Sequence, residues 1–180
     1  MITAYIDFKS LDCFLAISPI LELADDCETP VSWQPYRSEE RALPTEVASE
    51  SVTQTHHRVR AASERRLQRH YARLRGLDID PSRGQIDTSA ALRWLASLEG
   101  DTSSFVSRLF TAHWIDRTDI NDPTFLQELT TQCGLSRTGD AVDLSSIERK
   151  AEERGLFDAP TFFIEGQMFI CLLYTSDAAD

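Results

Sequence analysis

The chain begins with an alternating stretch of apolar and polar residues and then changes to a helical pattern. Residues 2–8 alternate and are rich in β-branched and aromatic side chains, which is typical of a strand. Ser10 is a suitable N-cap for a helix predicted over residues 11–24, in which Pro19 predicts a kink or a break. Residues 31–36 form a second predicted strand. A strand, a helix and a strand in this order favour two parallel strands joined by a helical crossover.

From about Arg37 to Gly139 the strand patterns stop. The segment from Arg37 to Val52 is polar and predicts a loop, and four helices with short connections are predicted after it. Glycines end three of these helices, and Asp122-Pro123 begins the fourth. The predicted apolar faces consist of Val59, Ala62, Leu67, Tyr71 and Leu74 in the first helix, Ala91, Leu92, Leu95 and Leu98 in the second, and Phe105, Val106, Leu109, Phe110, His113 and Trp114 in the third.

The last part of the chain returns to a mixed pattern. A helix is predicted from about Asp143 to Arg154. A β-rich run over 159–164 and a second one over 168–170 then flank a tight turn, which indicates a hairpin. The whole order is βαβ, a helical block, then αββ, and it predicts an α/β fold. The predicted division is 1–36 and 140–170 for the two halves of one α/β domain, 37–139 for a helical insertion, and 171–180 for a tail.

The tail, C-L-L-Y-T-S-D-A-A-D, resembles the translation of a sequencing adapter. We therefore expect the native chain to continue differently after Ile170. A final helix would be needed to cover the sheet, and the sequence predicts that this C-terminal helix is missing through truncation.

Composition and charge exclude several classes of protein. The 180 residues are 42% hydrophobic and 26% charged, which excludes collagen-like, disordered and coiled-coil chains. No apolar run reaches the roughly 20 residues of a membrane span, and no signal-peptide pattern begins the chain. Four cysteines without a C-x-x-C pair argue against a disulfide scaffold and a structural zinc site. We expect a cytoplasmic protein with no membrane partner and no bound metal.

Three segments carry a resemblance to a known family. Residues 5–16, Y-I-D-F-K-S-L-D-C-F-L-A, are similar to its D-F-x-S-P-Y-x-x-L-A motif. The second segment runs from His113-Trp114 to Asp122, and the third, G-L-F-D-A-P-T-F-F over 155–163, is similar to G-V-F-G-V-P-T-F-F. The chain resembles the DsbA-like thioredoxin-fold superfamily, in particular 2-hydroxychromene-2-carboxylate isomerase and class kappa glutathione transferase. The resemblance implies a thioredoxin-like fold with an all-helical insertion.

In these proteins the residue at the N-terminus of the first helix is the chemical centre, and here it is Ser10. Oxidoreductases of the superfamily place a cysteine there, and a serine forms no disulfide. The resemblance therefore implies a glutathione-dependent isomerase or transferase, in which the Ser10 hydroxyl stabilises the thiolate of bound glutathione. The substrate would be a small unsaturated aromatic compound or carboxylate. The alternative is that Ser10 only caps the helix.

The resemblance also assigns a role to Ala159-Pro160. Pro160 would follow a cis peptide bond, and the backbone of Ala159 would bind the cysteinyl part of glutathione. The alternative is a trans proline that opens an edge strand. The turn that holds the γ-glutamyl end in this family would lie beyond Ile170.

The motif around Ser10 departs from the family pattern and leaves two rival hypotheses. Leu11-Asp12 replaces Pro-Tyr, and a carboxylate there would repel a thiolate. Cys13 is the alternative catalytic residue, as the single thiol of a DsbA-family oxidoreductase, although a lone cysteine is more often a buried core residue. The third hypothesis is a thioredoxin-fold binding module without catalytic activity.

A basic segment interrupts an acidic chain. Seven arginines and one glutamate lie within residues 58–75, whereas the chain as a whole has a formal net charge of −11. A solvated helix face is the first interpretation and a cationic wall for an anionic substrate the second. A nucleic-acid surface ranks last, because aromatic residues for base stacking are missing. We expect small-molecule partners, with a homodimer left open.

Overall fold

The computed structural model describes residues 1–38, 52–139 and 142–170. The loop predicted over most of 37–52, the 171–180 tail and the question of a final covering helix lie outside these ranges, and the four-part division stays a prediction. The described elements are β1 (Ile2–Ile6), α1 (Leu11–Asp26), β2 (Val31–Pro35), α2 (Val52–Leu74), a 3₁₀ turn (Pro81–Gly84), α3 (Ser89–Ala96), β3 (Leu98–Glu99), α4 (Ser103–Trp114), α5 (Pro123–Gln132), β4 (Ser136–Arg137), α6 (Leu144–Glu152), β5 (Thr161–Ile164) and β6 (Gln167–Ile170).

The main sheet has the strand order β2-β1-β5-β6. β1 and β2 are parallel and joined through α1, while β5 is antiparallel to β1 and forms a hairpin with β6. The predicted βαβ and αββ units are therefore confirmed. Because β5 runs antiparallel to β1, the start of β5 lies at the C-terminal ends of β1 and β2.

Helix α1 buries one face in the core. Its buried side chains are Leu11, Cys13, Leu15, Ala16, Ile17, Ile20 and Ala24. Pro19 does not break the helix, which continues to Asp26 as one element. Proline has no N–H to donate to the carbonyl four residues earlier, here that of Leu15. The guanidinium of Arg75 donates to that carbonyl instead.

The insertion packs into the same core as the main sheet. Helix α4 buries the predicted rows completely, and the indole N–H of Trp33 on β2 donates to the Ser103 hydroxyl at 3.0 Å. The apolar face predicted for α2 is wrong at three of its five positions, since Val59 is 57% and Leu74 64% exposed and Ala62 is exposed as well. On this helix Ala72 is buried instead. The helix extends past the core, and its buried side is short.

A second sheet was not predicted. The two-residue strands β3 and β4 pair antiparallel, with Leu98 opposite Arg137. The guanidinium of Arg137 lies 3.6 Å from the centre of the Trp94 ring. This small ladder ties the end of α3 to the end of α5.

Candidate functional site

The strand topology places the predicted site residues at the same end of the main sheet. β1 leads into a short loop, residues 7–10, that ends at Ser10, and Tyr5 of β1 is opposite Thr161 of β5. Ala159 and Pro160 directly precede β5, so they lie at the same end of the strands as Ser10. The Ala159–Pro160 peptide is cis, as the resemblance implied. Both residues are buried.

Ser10 caps α1 through its side chain. The Cys13 N–H donates to the Ser10 Oγ at 3.2 Å. A hydroxyl has one hydrogen to donate and two lone pairs to accept. The Ser10 side chain also hydrogen-bonds the Cys13 thiol, so a ligand that accepts the hydroxyl hydrogen would replace that contact. The free N–H groups and the dipole of the first turn favour an anion at this position.

The Asp12 carboxylate, the departure that the sequence showed, is bound by the insertion. The side-chain amide of Gln68 on α2 donates to the Asp12 Oδ2 at 3.0 Å. This bond holds the carboxylate toward α2. A carboxylate in the first turn opposes a thiolate at the helix N-terminus by repulsion.

Cys13 is an internal residue of the core. Its relative exposure is 0%, and the Asp7 N–H lies 3.5 Å from its Sγ. Burial raises the pKa of the Cys13 thiol well above its ordinary value, because a thiolate would lose its solvation there. A reactive cysteine needs a low pKa and access to solvent. Both observations weigh against Cys13 as a nucleophile.

Sequence reasoning missed Asp7, which the structure places at the centre of the loop before Ser10. Its carboxylate is fully buried and accepts from the N–H and hydroxyl of Ser38, at 2.9 and 3.0 Å. It also accepts from the Lys9 N–H at 3.3 Å and from the Thr88 hydroxyl. The Lys9 Nζ lies 3.9 Å from the same carboxylate. The Asp7 carboxylate therefore links the segment after β2, the loop before α1 and the start of α3.

His113 and Trp114, two residues of the resemblance, are buried beside this loop. The indole N–H of Trp114 donates to the Phe8 carbonyl at 3.0 Å. The His113 ring lies between the Arg83 guanidinium and the Arg83 carbonyl, with its Nδ1 and Nε2 at 3.3 and 2.9 Å. Burial first, and then the Arg83 charge, lower the pKa of His113 to about 4. The imidazole is therefore neutral at pH 7.

A groove of about 600 Å³ begins one helical turn beyond Ser10, between α1 and α4. Phe14 and Ile17 form part of its apolar lining, and Arg75 and Thr111 contribute polar groups. The Phe14 ring stacks on Trp114 with 6.4 Å between the ring centres. A second crevice, of about 300 Å³, lies between α5 and β4, away from Ser10.

Several arginines of α2 face solvent. Arg65, Arg66, Arg69 and Arg73 are exposed, which is the solvated face that the sequence favoured first. Among the described residues no group of three metal-ligating side chains comes together. No helix in the described ranges has the length and hydropathy needed to cross a bilayer.

Comparison with known proteins identifies the fold. No protein-family model and no curated protein sequence matches the chain. Among solved structures, 2-hydroxychromene-2-carboxylate isomerase superposes with a TM-score of 0.58 at 16% identity, covering 93% of this chain and 87% of that one. The cytosolic disulfide reductase DsbM from Pseudomonas aeruginosa, solved with GSH, has a TM-score of 0.54 at 18% identity and the same coverage. The chain therefore has an α/β thioredoxin-like fold with a helical insertion.

Proposed function

We propose that the chain binds reduced glutathione at the N-terminus of α1 and uses its thiolate on a small unsaturated aromatic or carboxylate substrate. The observation that carries this proposal is the pair of residues in the first turn. Ser10 caps the helix with a hydroxyl that also contacts the Cys13 thiol, while Cys13 itself is fully buried. This helix N-terminus favours an anion, and because the Cys13 thiol is buried, a thiolate at this position would have to come from a bound ligand.

The chemistry proceeds by addition and elimination. The glutathione sulfur forms a bond to an electron-poor carbon of the substrate, and the π electrons of the attacked double bond move onto the adjacent acceptor group. The former double bond rotates, and expulsion of the thiolate restores it in the isomerised product. In a transferase the adduct takes a proton from water and leaves. Ser10 donates its hydroxyl hydrogen to the sulfur before addition and after release.

The peptide before β5 would hold the cysteinyl part of glutathione. The Ala159 N–H already donates to the Asp158 carboxylate at 2.9 Å. A bound peptide therefore uses the Ala159 carbonyl or displaces Asp158. That the DsbM neighbour was solved with GSH supports a glutathione site in this fold. A reducing cytoplasm, which keeps glutathione as the thiol, is the compartment that suits this chemistry.

Two other functions are the alternatives from the sequence. A DsbA-family disulfide reductase is favoured by the DsbM likeness, but the thiol that the described residues place at the site is Cys13, which is buried. A binding module without catalytic activity would keep the fold and lack thiolate activation. Both alternatives predict that Ser10 has no effect on a bound thiol.

The test measures glutathione binding by calorimetry and the pKa of the bound thiol by thiolate absorbance. We expect the pKa to fall by about one unit below the roughly 8.5 of a free thiol. Ser10→Ala should abolish that decrease, and Ser10→Thr, which keeps the hydroxyl, should retain it. Absence of glutathione binding, or a pKa in Ser10→Ala equal to that of the wild type, would refute the proposal.

A second N-cap supplies the matched control. The Asp143 carboxylate accepts from the Ser145 N–H at 3.1 Å at the start of α6. Asp143→Ala and Ser10→Ala each remove one cap and should each cost about 1 kcal/mol of stability. Only Ser10→Ala should change the pKa of bound glutathione, which separates chemistry from folding.

A further inference from the structure

The loop that carries Ser10 is held by the helical insertion. The Thr88 hydroxyl, at the start of α3, donates to the buried Asp7 carboxylate. The Trp114 indole N–H, at the end of α4, donates to the Phe8 carbonyl at 3.0 Å, and this bond is buried. Two successive residues ahead of Ser10 are thus each fixed by a different helix of the insertion.

The next residue, Lys9, is in close contact with a third element. A Cβ added to Gly84, the last residue of the 3₁₀ turn, would lie 3.1 Å from the Lys9 carbonyl oxygen and 3.6 Å from the Trp114 ring. Glycine is therefore the residue that lets this turn approach the loop so closely. Any larger side chain at position 84 would push against the loop or the indole ring.

The 3₁₀ turn is itself anchored to the end of α4. The Arg83 guanidinium donates to the carbonyls of His113 and Thr118, at 3.1 and 2.9 Å. The His113 Nε2 lies 2.9 Å from the Arg83 carbonyl, so the contact is made from both sides. Since His113 is neutral, its Nε2 hydrogen is available for this bond and its Nδ1 faces the Arg83 guanidinium as an acceptor.

We propose that the helical insertion positions the Ser10 hydroxyl by holding the loop residues 7–9 in place, and that Trp114 is the principal positioning residue. This proposal rests on the function proposed above. Ser10 has an extended backbone, with φ −81° and ψ 117°, so the direction of its side chain follows the path of the loop. A reacting group displaced by about 1 Å can lose on the order of a hundredfold in rate. The insertion would thereby control chemistry that occurs on the thioredoxin-like half.

The decisive variant is Trp114→Phe, which keeps an aromatic ring and removes the indole N–H. Its matched control is Trp94→Phe, because the Trp94 N–H donates to the Thr130 hydroxyl at 2.9 Å within the same insertion. Both variants lose one indole hydrogen bond, and only one of those bonds reaches the loop. Gly84→Ala is the second test variant, since it shifts the loop without removing a donor.

The first readout needs no glutathione. The Cys13 amide donates to the Ser10 Oγ, so its hydrogen-exchange rate reports the geometry of the cap. We expect exchange at Cys13 to accelerate about fivefold to tenfold in Trp114→Phe and in Gly84→Ala, relative to the Ile20 amide in the middle of α1. Trp94→Phe should leave this ratio unchanged. An unchanged ratio in both loop variants would overturn the positioning proposal.

The second readout separates the two proposals. In Trp114→Phe the pKa of bound glutathione should rise toward that of Ser10→Ala, and kcat should fall at least tenfold with little change in KM. If wild-type protein binds no glutathione while the Cys13 exchange still responds to Trp114→Phe, the proposed function fails and the positioning role of the insertion stands. If Ser10→Ala changes the pKa and Trp114→Phe changes neither the pKa nor the exchange ratio, the positioning role fails alone.

Discussion

Helix α1 continues through Pro19 because Arg75 supplies the hydrogen bond that the proline cannot make. The carbonyl of Leu15 lies four residues before Pro19 and accepts from the Arg75 guanidinium, which reaches it from beyond the end of α2. We predict that Arg75→Met destabilises the protein in the wild-type background and has little effect when Pro19 is replaced by alanine.

The magnitude follows from the two partners of this bond. A hydrogen bond to a charged group contributes about 1.5–3 kcal/mol, and the Arg75 side chain is exposed, which favours the lower end. We therefore expect Arg75→Met to cost about 1.5 kcal/mol. In Pro19→Ala the new N–H bonds the Leu15 carbonyl within the helix, and the cost of Arg75→Met should fall to about 0.5 kcal/mol or less. The coupling energy between the two positions is then about 1 kcal/mol.

Urea denaturation of the wild type, the two single variants and the double variant measures this coupling. Arg73→Met is the control, because it removes an exposed arginine from the last turn of α2 and no hydrogen bond of Arg73 to α1 is seen in the described residues. It should cost no more than about 0.5 kcal/mol in either background. An equal cost of Arg75→Met with and without Pro19 would show that Arg75 acts through its charge or its packing, and would refute the reasoning.

Three further predictions concern titration and reactivity. The pKa of His113 is about 4 in the folded protein and about 6.5 in an unfolded chain, so the unfolded state binds more protons as the pH falls. The free energy of unfolding should therefore decrease by about 2 kcal/mol between pH 7 and pH 5. His113→Gln should reduce this pH dependence, as measured by denaturant titrations at each pH. Because Cys13 is buried, it should react with a thiol reagent only when the protein unfolds. The native Cys13→Ala variant should therefore have as many fast-reacting thiols as the wild type, and a smaller number would contradict the burial of Cys13. The hydrogen bonds from Arg37 hold the pKa of Glu148 below its usual range, so the pair should stabilise the protein above about pH 4.3 and lose that effect in acid; Arg37→Met should cost less than about 1 kcal/mol at pH 7 and nothing in high salt.

The parts of the fold that the sequence predicted well are those that local patterns determine. The alternation of residues 2–8 and the Ser10 cap define β1 and the start of α1, and Asp122-Pro123 marks the start of α5. The glycine turn between β5 and β6 defines the hairpin. Each of these signals comes from residues that are neighbours in the chain. The sequence therefore predicts these elements without knowledge of the tertiary contacts, which only stabilise them further.

The features that the sequence did not predict depend on contacts between distant residues. Asp7 occupies a polar position of an alternating strand, which suggests solvent, yet donors from residues 31 and 81 positions away enclose it. The pairing of β3 with β4 joins two-residue strands that no local pattern marks. In α2 a helical period of apolar residues exists, but the core covers only part of that helix, so Val59 stays exposed.

The electrostatics of the first turn of α1 decide how strongly this site could activate a thiol. The helix N-terminus contributes roughly half a positive charge, and the Asp12 carboxylate in the same turn opposes it. Because Gln68 binds that carboxylate from α2, its orientation depends on the insertion, as does the orientation of Ser10. Asp12→Asn should therefore lower the pKa of bound glutathione by removing the opposing charge. The same substitution should leave the Gln68 contact in place, because an asparagine oxygen still accepts from the Gln68 amide. A raised pKa in that variant would mean that Asp12 orders the site more than it repels the thiolate.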